Sequence, residues 1–454
     1  MSKNIDFTEG RILAPLLRFV FPVLFALFLQ SLYGAVDLLV VGKFAGAEDV
    51  SAVSTGSQIM GTLTNLVSSL AMGVTIFIGE KTGEKDNKAG GLIIGAGMLL
   101  FLAIGAAFTV FVPLLAPQLA ALMHAPEEAF DLTATYIRIC GAGMIVIIAY
   151  NLIGSIFRGF GDSHTPLMTV FIACVFNIAG DLLLVAYFGM GTAGAAIATV
   201  AAQMLSVIIS FMLISRKKFP FDFDRNCIRW DSMIIGKIIM LGTPIALQDF
   251  LVGISFLVVL AIVNGLGLIA SAGVGVAEKA CGFIMLVPLA FMQAMSAYVA
   301  QNRGAGKLDR AFRGLKYAII VSFAFGVTMA YVSFFHGDLI AFIFARDPEV
   351  IAAAADYLKA YAVDCLFTCF LFCFIGFYNG MEYTRFVMIQ GVIGAFLVRI
   401  PVSFIMSRWE PVSLFHIGLA TPCSTLLQIA MCFGCLFYLK RHLGLSGNGS
   451  EKNT

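Results

Sequence analysis

Charge is missing from stretch after stretch of this chain. Residues 92–115 and 317–335 hold no Asp, Glu, Lys or Arg, and apolar runs of roughly 18–25 residues recur along its length. At ~1.5 Å of rise per residue such a run crosses a ~30 Å hydrocarbon core as a helix. A soluble globule is excluded on the same grounds, because 60% apolar and only 12% charged residues leave too little polar surface for 454 residues. The opening MSKNIDFTEGRILAPLLRFVFP has no short apolar stretch with a small-residue cleavage site, and Arg11 and Arg18 precede the first span. No removable signal peptide is expected.

The pattern predicts an all-α integral membrane protein with twelve transmembrane helices, near 19–42, 52–78, 92–115, 133–156, 167–188, 193–215, 239–263, 272–298, 317–335, 355–378, 386–406 and 415–438. With the N-terminus in the cytoplasm, the loops on that side hold twenty-two Lys and Arg, and the opposite loops hold three: Lys43, Arg346 and Arg408. That asymmetry fits both termini being cytoplasmic. A net charge of +2 gives no reason to expect a nucleic-acid partner. The ten cysteines fall mostly in apolar runs, and Cys365, Cys369 and Cys373 share one helix face, a stripe better read as packing than as a soft-metal site.

A shift of about 221 residues aligns Gly46 with Gly267, Gly83 with Gly304, Glu128 with Glu349, Tyr136 with Tyr357, Arg138 with Lys359 and Gly159 with Gly380. One offset over more than a hundred residues implies an internal duplication. With six spans per half, the repeats run parallel, related by an axis along the membrane normal, and can enclose a central cleft. The expected division is an amino-terminal lobe at 1–214, a cytoplasmic linker at 215–232 containing SRKKFPFDFDRNCIRWD, and a carboxy-terminal lobe at 233–454.

Four segments carry a family resemblance: FPVLFALFLQSLYGAVDLLVVGKFAG, FRGFGDSHTP, NIAGDLLLVAYFGMGTAGAAIAT and AQNRGAGKLDRA. Over nearly its whole length the chain resembles the multidrug and toxic compound extrusion (MATE) family. The resemblance implies an efflux antiporter working by alternating access, exchanging a proton or sodium ion for an organic, often cationic amphipathic compound. It also implies a bacterial inner membrane, as do the short loops, and a monomer as the functional unit. No bound cofactor beyond the coupling ion is expected.

Ionised side chains in hydrocarbon are costly, by ~2.5–3.5 kcal/mol on insertion scales, so each needs a cavity or a partner. Asp37 lies nine residues before Gly46, ~13 Å inside the outer edge. Asp181 and Thr199 fall at about the same depth in spans 5 and 6, and Asn177 is one turn from Asp181. Two carboxylates, an amide and a hydroxyl form an all-oxygen donor set that suits a sodium ion or a shared proton equally. This quartet resembles the amino-terminal-lobe cation site of the DinF-like branch more than the NorM-like arrangement. The alternative is that these groups are hydrogen-bonded packing residues tying spans 1, 5 and 6 together.

In the second half the counterparts of Asp37 and Asp181 fall on or near Val258 and Val402, and Arg399 falls near the counterpart of Asn177. Asp249, Glu278 and Asp364 are the acids well inside spans there, candidates for lining a substrate cleft or for local pairing with Arg399 or Lys279. Gln30 and Tyr33 near Asp37, and Met60 in span 2, are further candidates for substrate contact, since Met and aromatic faces suit promiscuous cations. Pro22 and Pro244 could bend spans 1 and 7.

Other motifs lose their force in context. Gly189-x-Gly191-x-x-Gly194 lies in an outer turn with no strand before it, and the five histidines lack metal-ligand spacing. GDSHTP and NRGAGK read as helix-capping turns with inter-lobe contacts, making Arg158 and Asp162 structural. Two competing functions remain: a flippase for a lipid-linked precursor, which favours a more cationic cavity, and a membrane-embedded enzyme. Without HExxH, GxSxG or an intramembrane His, the enzyme has no nucleophile and base to use.

Overall fold

The computed structural model describes residues 5–216 and 221–442; Lys3, Lys217, Lys218 and Lys452 of the basic loops lie outside them. Every regular element among the described residues is helical. The first half runs through α1 (Leu13–Phe44), α2 (Ala47–Glu84), α3 (Asn87–Leu114), short α4 (Ala116–Leu122), α5 (Phe130–Ala142), α6 (Met144–Gly159), α7 (His164–Asp181) and α8 (Gly191–Arg216). The second half runs through α9 (Ser232–Asn264), α10 (Leu268–Ile284), α11 (Leu286–Gly304), α12 (Leu308–Phe335), α13 (Gly337–Phe344), α14 (Pro348–Gly380), α15 (Thr384–Val392), α16 (Ile400–Met406), α17 (Leu414–Gly418) and α18 (Ala420–His442).

Eleven helical stretches are long and apolar enough to span a membrane, and a twelfth forms if α5 and α6 are taken as one span bent by 55°. All twelve expected spans have their helix. Large apolar side chains left exposed, among them Leu39, Leu397 and Phe437, are the surface that lipid covers.

The bend falls at Gly143, where a neighbouring helix packs closely. A methyl group at Gly143 would come within 2.6 Å of Val200 on α8, so only glycine admits the close approach there. In the second half the fourth span, α14, is unbroken, and the interruption moves to the second span, between α10 and α11 at Met285. Pro288 follows three residues later and cannot donate to the Ile284 carbonyl, which ends α10.

Helix contacts divide the chain into two compact units. The first unit comprises residues 1–250, 296–306 and 379–385, so it includes the basic-side ends of α9, α11 and α14. Its core runs from Val40 through Ile76, Phe101, Ile137 and Ile156 to Ile238 and Ala300. Asp49 ties together two turns at the end of the unit away from the basic side. One carboxylate oxygen accepts from Thr192 N (2.8 Å) and Thr192 Oγ1 (2.7 Å) at the start of α8, and the other from Gly46 N (3.3 Å).

On the basic side of this unit the duplicated glycines meet: Gly83 lies against the Gln301 backbone, and Gly304 against the Glu80 backbone. Beside them is a closed ring of four charges. Lys237 Nζ pairs with Glu80 (2.6 Å) and Glu382 (3.0 Å), and Arg303 Nη2 with Glu80 (2.8 Å) and Glu382 (2.8 Å). Burial pushes the Glu382 carboxyl up, but Arg303 and then Lys237 outweigh it and hold it at about 2.

The second unit comprises residues 251–295, 307–378 and 386–454. Its core is built on Val263, Val274, Ala277, Tyr357, Leu358, Tyr361 and Ile417. Cys365, Cys369 and Cys373 are buried in this unit as small packing groups, with Cys369 against Gly326.

A candidate cation site in the first unit

Three helices bring the predicted quartet together. Asp37 projects from α1, Asn177 and Asp181 from α7, and Thr199 from α8, all inside the first unit. A methyl group at Gly180 would fall 2.9 Å from the Ala198 side chain, so a glycine beside Asp181 lets α7 and α8 approach closely. Directly after Asp181 the helix widens into a π segment, Leu182–Tyr187, a local irregularity of the sort that often accompanies a functional residue. The glycine-rich stretch that follows is a turn, with Gly189 and Gly191 at φ +65° and +51°.

Thr199 Oγ1 donates to Asp37 Oδ2 (3.4 Å), accepts from Asn177 Nδ2 (3.4 Å), and lies 3.0 Å from the Ala195 carbonyl of its own helix. The Asp37 and Asp181 carboxyl groups face each other within hydrogen-bonding reach. Asp181 is fully buried, and Asp37 and Asn177 nearly so. Asp37 Oδ1, Asn177 Oδ1 and both Asp181 oxygens have no donor. Four buried acceptors without a protein donor suit a proton held between the carboxylates or a hard cation held by the oxygens. The all-oxygen donor set fits sodium, and no cluster of three or more His, Cys, Asp or Glu suited to a transition metal occurs among the described residues.

Around the quartet lie Tyr33 and Gln30, expected from their helical spacing to Asp37, and Tyr136, which spacing alone does not reveal. Tyr33, one turn before Asp37, neighbours the Gln203 side chain on α8. Gln30, a further turn away, donates to Tyr150 Oη (3.2 Å). Tyr136 on α5 is an electrostatic neighbour of Asp37, and its ring packs against Gly56, where a methyl group would come within 2.6 Å. The repeat offered the one available signal for it, since Tyr136 aligns with Tyr357. Met60 is buried in the core of the unit, and Asp249 accepts from Ser69 Oγ (2.5 Å).

Glu278 and Asp364 belong to the second unit. Asp364 is buried and accepts from Thr425 Oγ1 (2.6 Å), and Glu278 Oε1 has no donor. Arg399 donates to Ser255 Oγ (2.8 Å), lies 4.2 Å over the Phe256 ring, and is an electrostatic neighbour of Asp364.

Comparison with known proteins follows the same duplication. The MatE family model matches twice, at residues 22–183 and 244–405. A Bacillus subtilis strain 168 relative, "Probable multidrug resistance protein YpnP", is 26% identical over 415 residues, covering 90% of this chain and 91% of the relative. "Multidrug export protein MepA" of Staphylococcus saprophyticus is 22% identical, with 88% of each chain covered. A Thermotoga maritima relative named "Probable multidrug resistance protein NorM" is 23% identical, covering 89% of this chain and 86% of that one. Among solved structures, "Outward-facing conformation of a multidrug resistance MATE family transporter of the MOP superfamily" superposes with a TM-score of 0.89 at 19% identity, covering 97% of this chain and 99% of that one. With both halves matched by one family model and the helical scaffold shared almost end to end, this chain belongs to the MatE family of multi-pass membrane transporters.

Proposed function

We propose that this chain is a secondary active multidrug exporter in which Asp37 and Asp181, with Asn177 and Thr199, bind the proton or sodium ion whose inward movement drives organic, cationic amphipathic compounds outward by alternating access. The observation that carries this reading is the excess of buried acceptors. Two facing carboxylates and an amide oxygen lack four donors between them, and a mobile cation is the partner that can arrive and leave. Bound cation neutralises the pair and relieves the repulsion; released cation restores it, so occupancy alters the packing of α1 against α7 and α8.

The concentration of these acids in the first unit supports a DinF-like branch, and it disfavours the flippase alternative, which calls for a cationic cavity. The charge asymmetry of the loops supports cytoplasmic termini in a bacterial inner membrane, with one chain as the working unit. Gln30, Tyr33 and Met60 in the first unit, and Asp249, Glu278 and Asp364, remain the substrate-contact candidates.

The test is export of a cationic dye from sealed proteoliposomes with sodium and proton gradients imposed separately. The parent is expected to respond to one gradient, and Asp37→Asn to lose that response while still binding dye. Gradient-driven export that survives Asp37→Asn unchanged would sink the assignment.

A further inference from the structure

Two helical stripes in the first unit join end to end. On α1, Asp37, Tyr33 and Gln30 fall at i, i−4 and i−7 and share a face. On α6, Tyr150, Gly154 and Arg158 fall at i, i+4 and i+8. The Gln30–Tyr150 hydrogen bond (3.2 Å) connects the stripes, and Gln203 flanks Tyr33. Hydroxyl and amide groups thus lead from the carboxylate pair toward the basic-side end of α6. Such a track, left open, conducts protons or hydrated cations downhill and wastes the gradient.

Arg158 stands at its end in an unusual pose. Its guanidinium folds back along its own helix instead of reaching outward, so that a methyl group at Gly154 would lie 3.2 Å from Nη1. Nη2 donates to Ser155 Oγ (2.9 Å), the buried Nε has no acceptor, and no carboxylate among the described residues pairs with the side chain. The Tyr150 hydroxyl is its electrostatic neighbour along the track. A purely structural arginine would be expected to have its charge matched, because an uncompensated buried cation is costly. Here the half-buried charge has a hydroxyl but no carboxylate against it among the described residues, and it is turned back along its own helix.

We propose that the Arg158 guanidinium is the electrostatic barrier that stops cations held at Asp37 and Asp181 from slipping along Tyr33, Gln30 and Tyr150 to the basic side. The inference rests on the coupling reading given above. A fixed unit charge ~10 Å from a passing cation, at an effective dielectric of ~20, lowers cation occupancy of the track by about tenfold or more. Gly154 is part of the device, since the guanidinium is the group nearest the space beside it.

The experiment measures ion entry without substrate, in proteoliposomes carrying internal sodium- and pH-sensitive dyes under a potassium-diffusion potential. The parent and Arg158→Lys are expected to be tight. Arg158→Gln, which removes the charge, and Gly154→Asp, which neutralises it in place, are expected to leak about tenfold faster or more. Adding Asp37→Asn to Arg158→Gln is expected to restore tightness, because the leak runs through the carboxylate pair. Size-exclusion profiles establish that each variant is folded, and Gly154→Asp read against Gly154→Ala decides the matter if Arg158→Gln aggregates. Charge-altered variants as tight as the parent overturn the inference, as does a leak that persists in the double variant. A parent that exports dye without regard to either gradient overturns the coupling reading instead, in a separate arm with substrate present.

Discussion

The fifth spans of the two halves share a scaffold and differ in what they ask of their surroundings. The two family-model matches have equal length and begin 222 residues apart, which puts Arg399 near the counterpart of Asn177, Ser403 near that of Asp181 and Val259 near that of Asp37. Each span holds a π segment. In the first half it begins just after Asp181, and in the second it spans Ile393–Arg399 and ends on the arginine. The first unit therefore gathers acceptors it cannot satisfy. The second has its own built-in cation, held by Ser255 and the Phe256 ring, while Thr425 satisfies Asp364. Duplication fixes where the helices stand, and a few side chains decide whether an interior carries its own cation.

The comparison breaks most directly at Arg399. Replacing it with Met removes the charge-assisted bond to Ser255 and the cation–π contact, at an expected cost of about 3 kcal/mol, read as a lower thermal midpoint in detergent. Adding Asp364→Asn should recover part of that loss. An unchanged midpoint would mean that the second unit does not depend on its internal cation.

A contrast within the first unit sharpens the same point. Glu382 is paired with two cations and Asp37 with none among the described residues, so Glu382→Gln should cost about 2 kcal/mol, whereas Asp37→Asn should leave the midpoint level or raise it. The Glu382 carboxyl is depressed to about 2, so its contribution is complete above the ordinary glutamate value and fades only as pH falls through about 2. The Glu382→Gln deficit should therefore be constant from pH 5 to 8; a deficit that shrinks across that window would contradict the ring's geometry. The smallest effect is expected at Thr199, whose bonds to Asp37 and Asn177 are long at 3.4 Å. Thr199→Val should weaken the apparent affinity for the driving cation severalfold, in keeping with about 1 kcal/mol.

Much of this was legible in the sequence because lipid imposes a simple rule. Every span could be read from a long apolar run with little charge, and the quartet from depth and helical phase, since Asn177 and Asp181 are one turn apart and Asp37 and Thr199 lie at matching depth. The helix breaks at Gly143 and Met285 were not legible, because each goes with tertiary packing or with a proline already inside a helical pattern. The ring of Glu80, Lys237, Arg303 and Glu382 was hidden for another reason. Its members are separated by up to about three hundred residues, and each alone reads as an ordinary loop-proximal charge. Arg158 was expected to be structural from its place at a helix end; nothing in its spacing tells which way its side chain turns.

The meeting of Gly83 and Gly304 bears on how such a chain arose. By the repeat offset of 221 residues, Gln301 is the counterpart of Glu80, so Gly83 on Gln301 and Gly304 on Glu80 are one contact made twice. That reciprocity is the mark of an isologous interface, the kind formed by two identical subunits about a two-fold axis. The polypeptide thus keeps a dimer interface within a single chain. Fusion also freed its sides to diverge: Glu80 became the acid shared by Lys237 and Arg303, while Gln301 donates its amide to the Gly159 carbonyl (2.9 Å). A symmetric dimer of half-length chains could not assign those two tasks to one position.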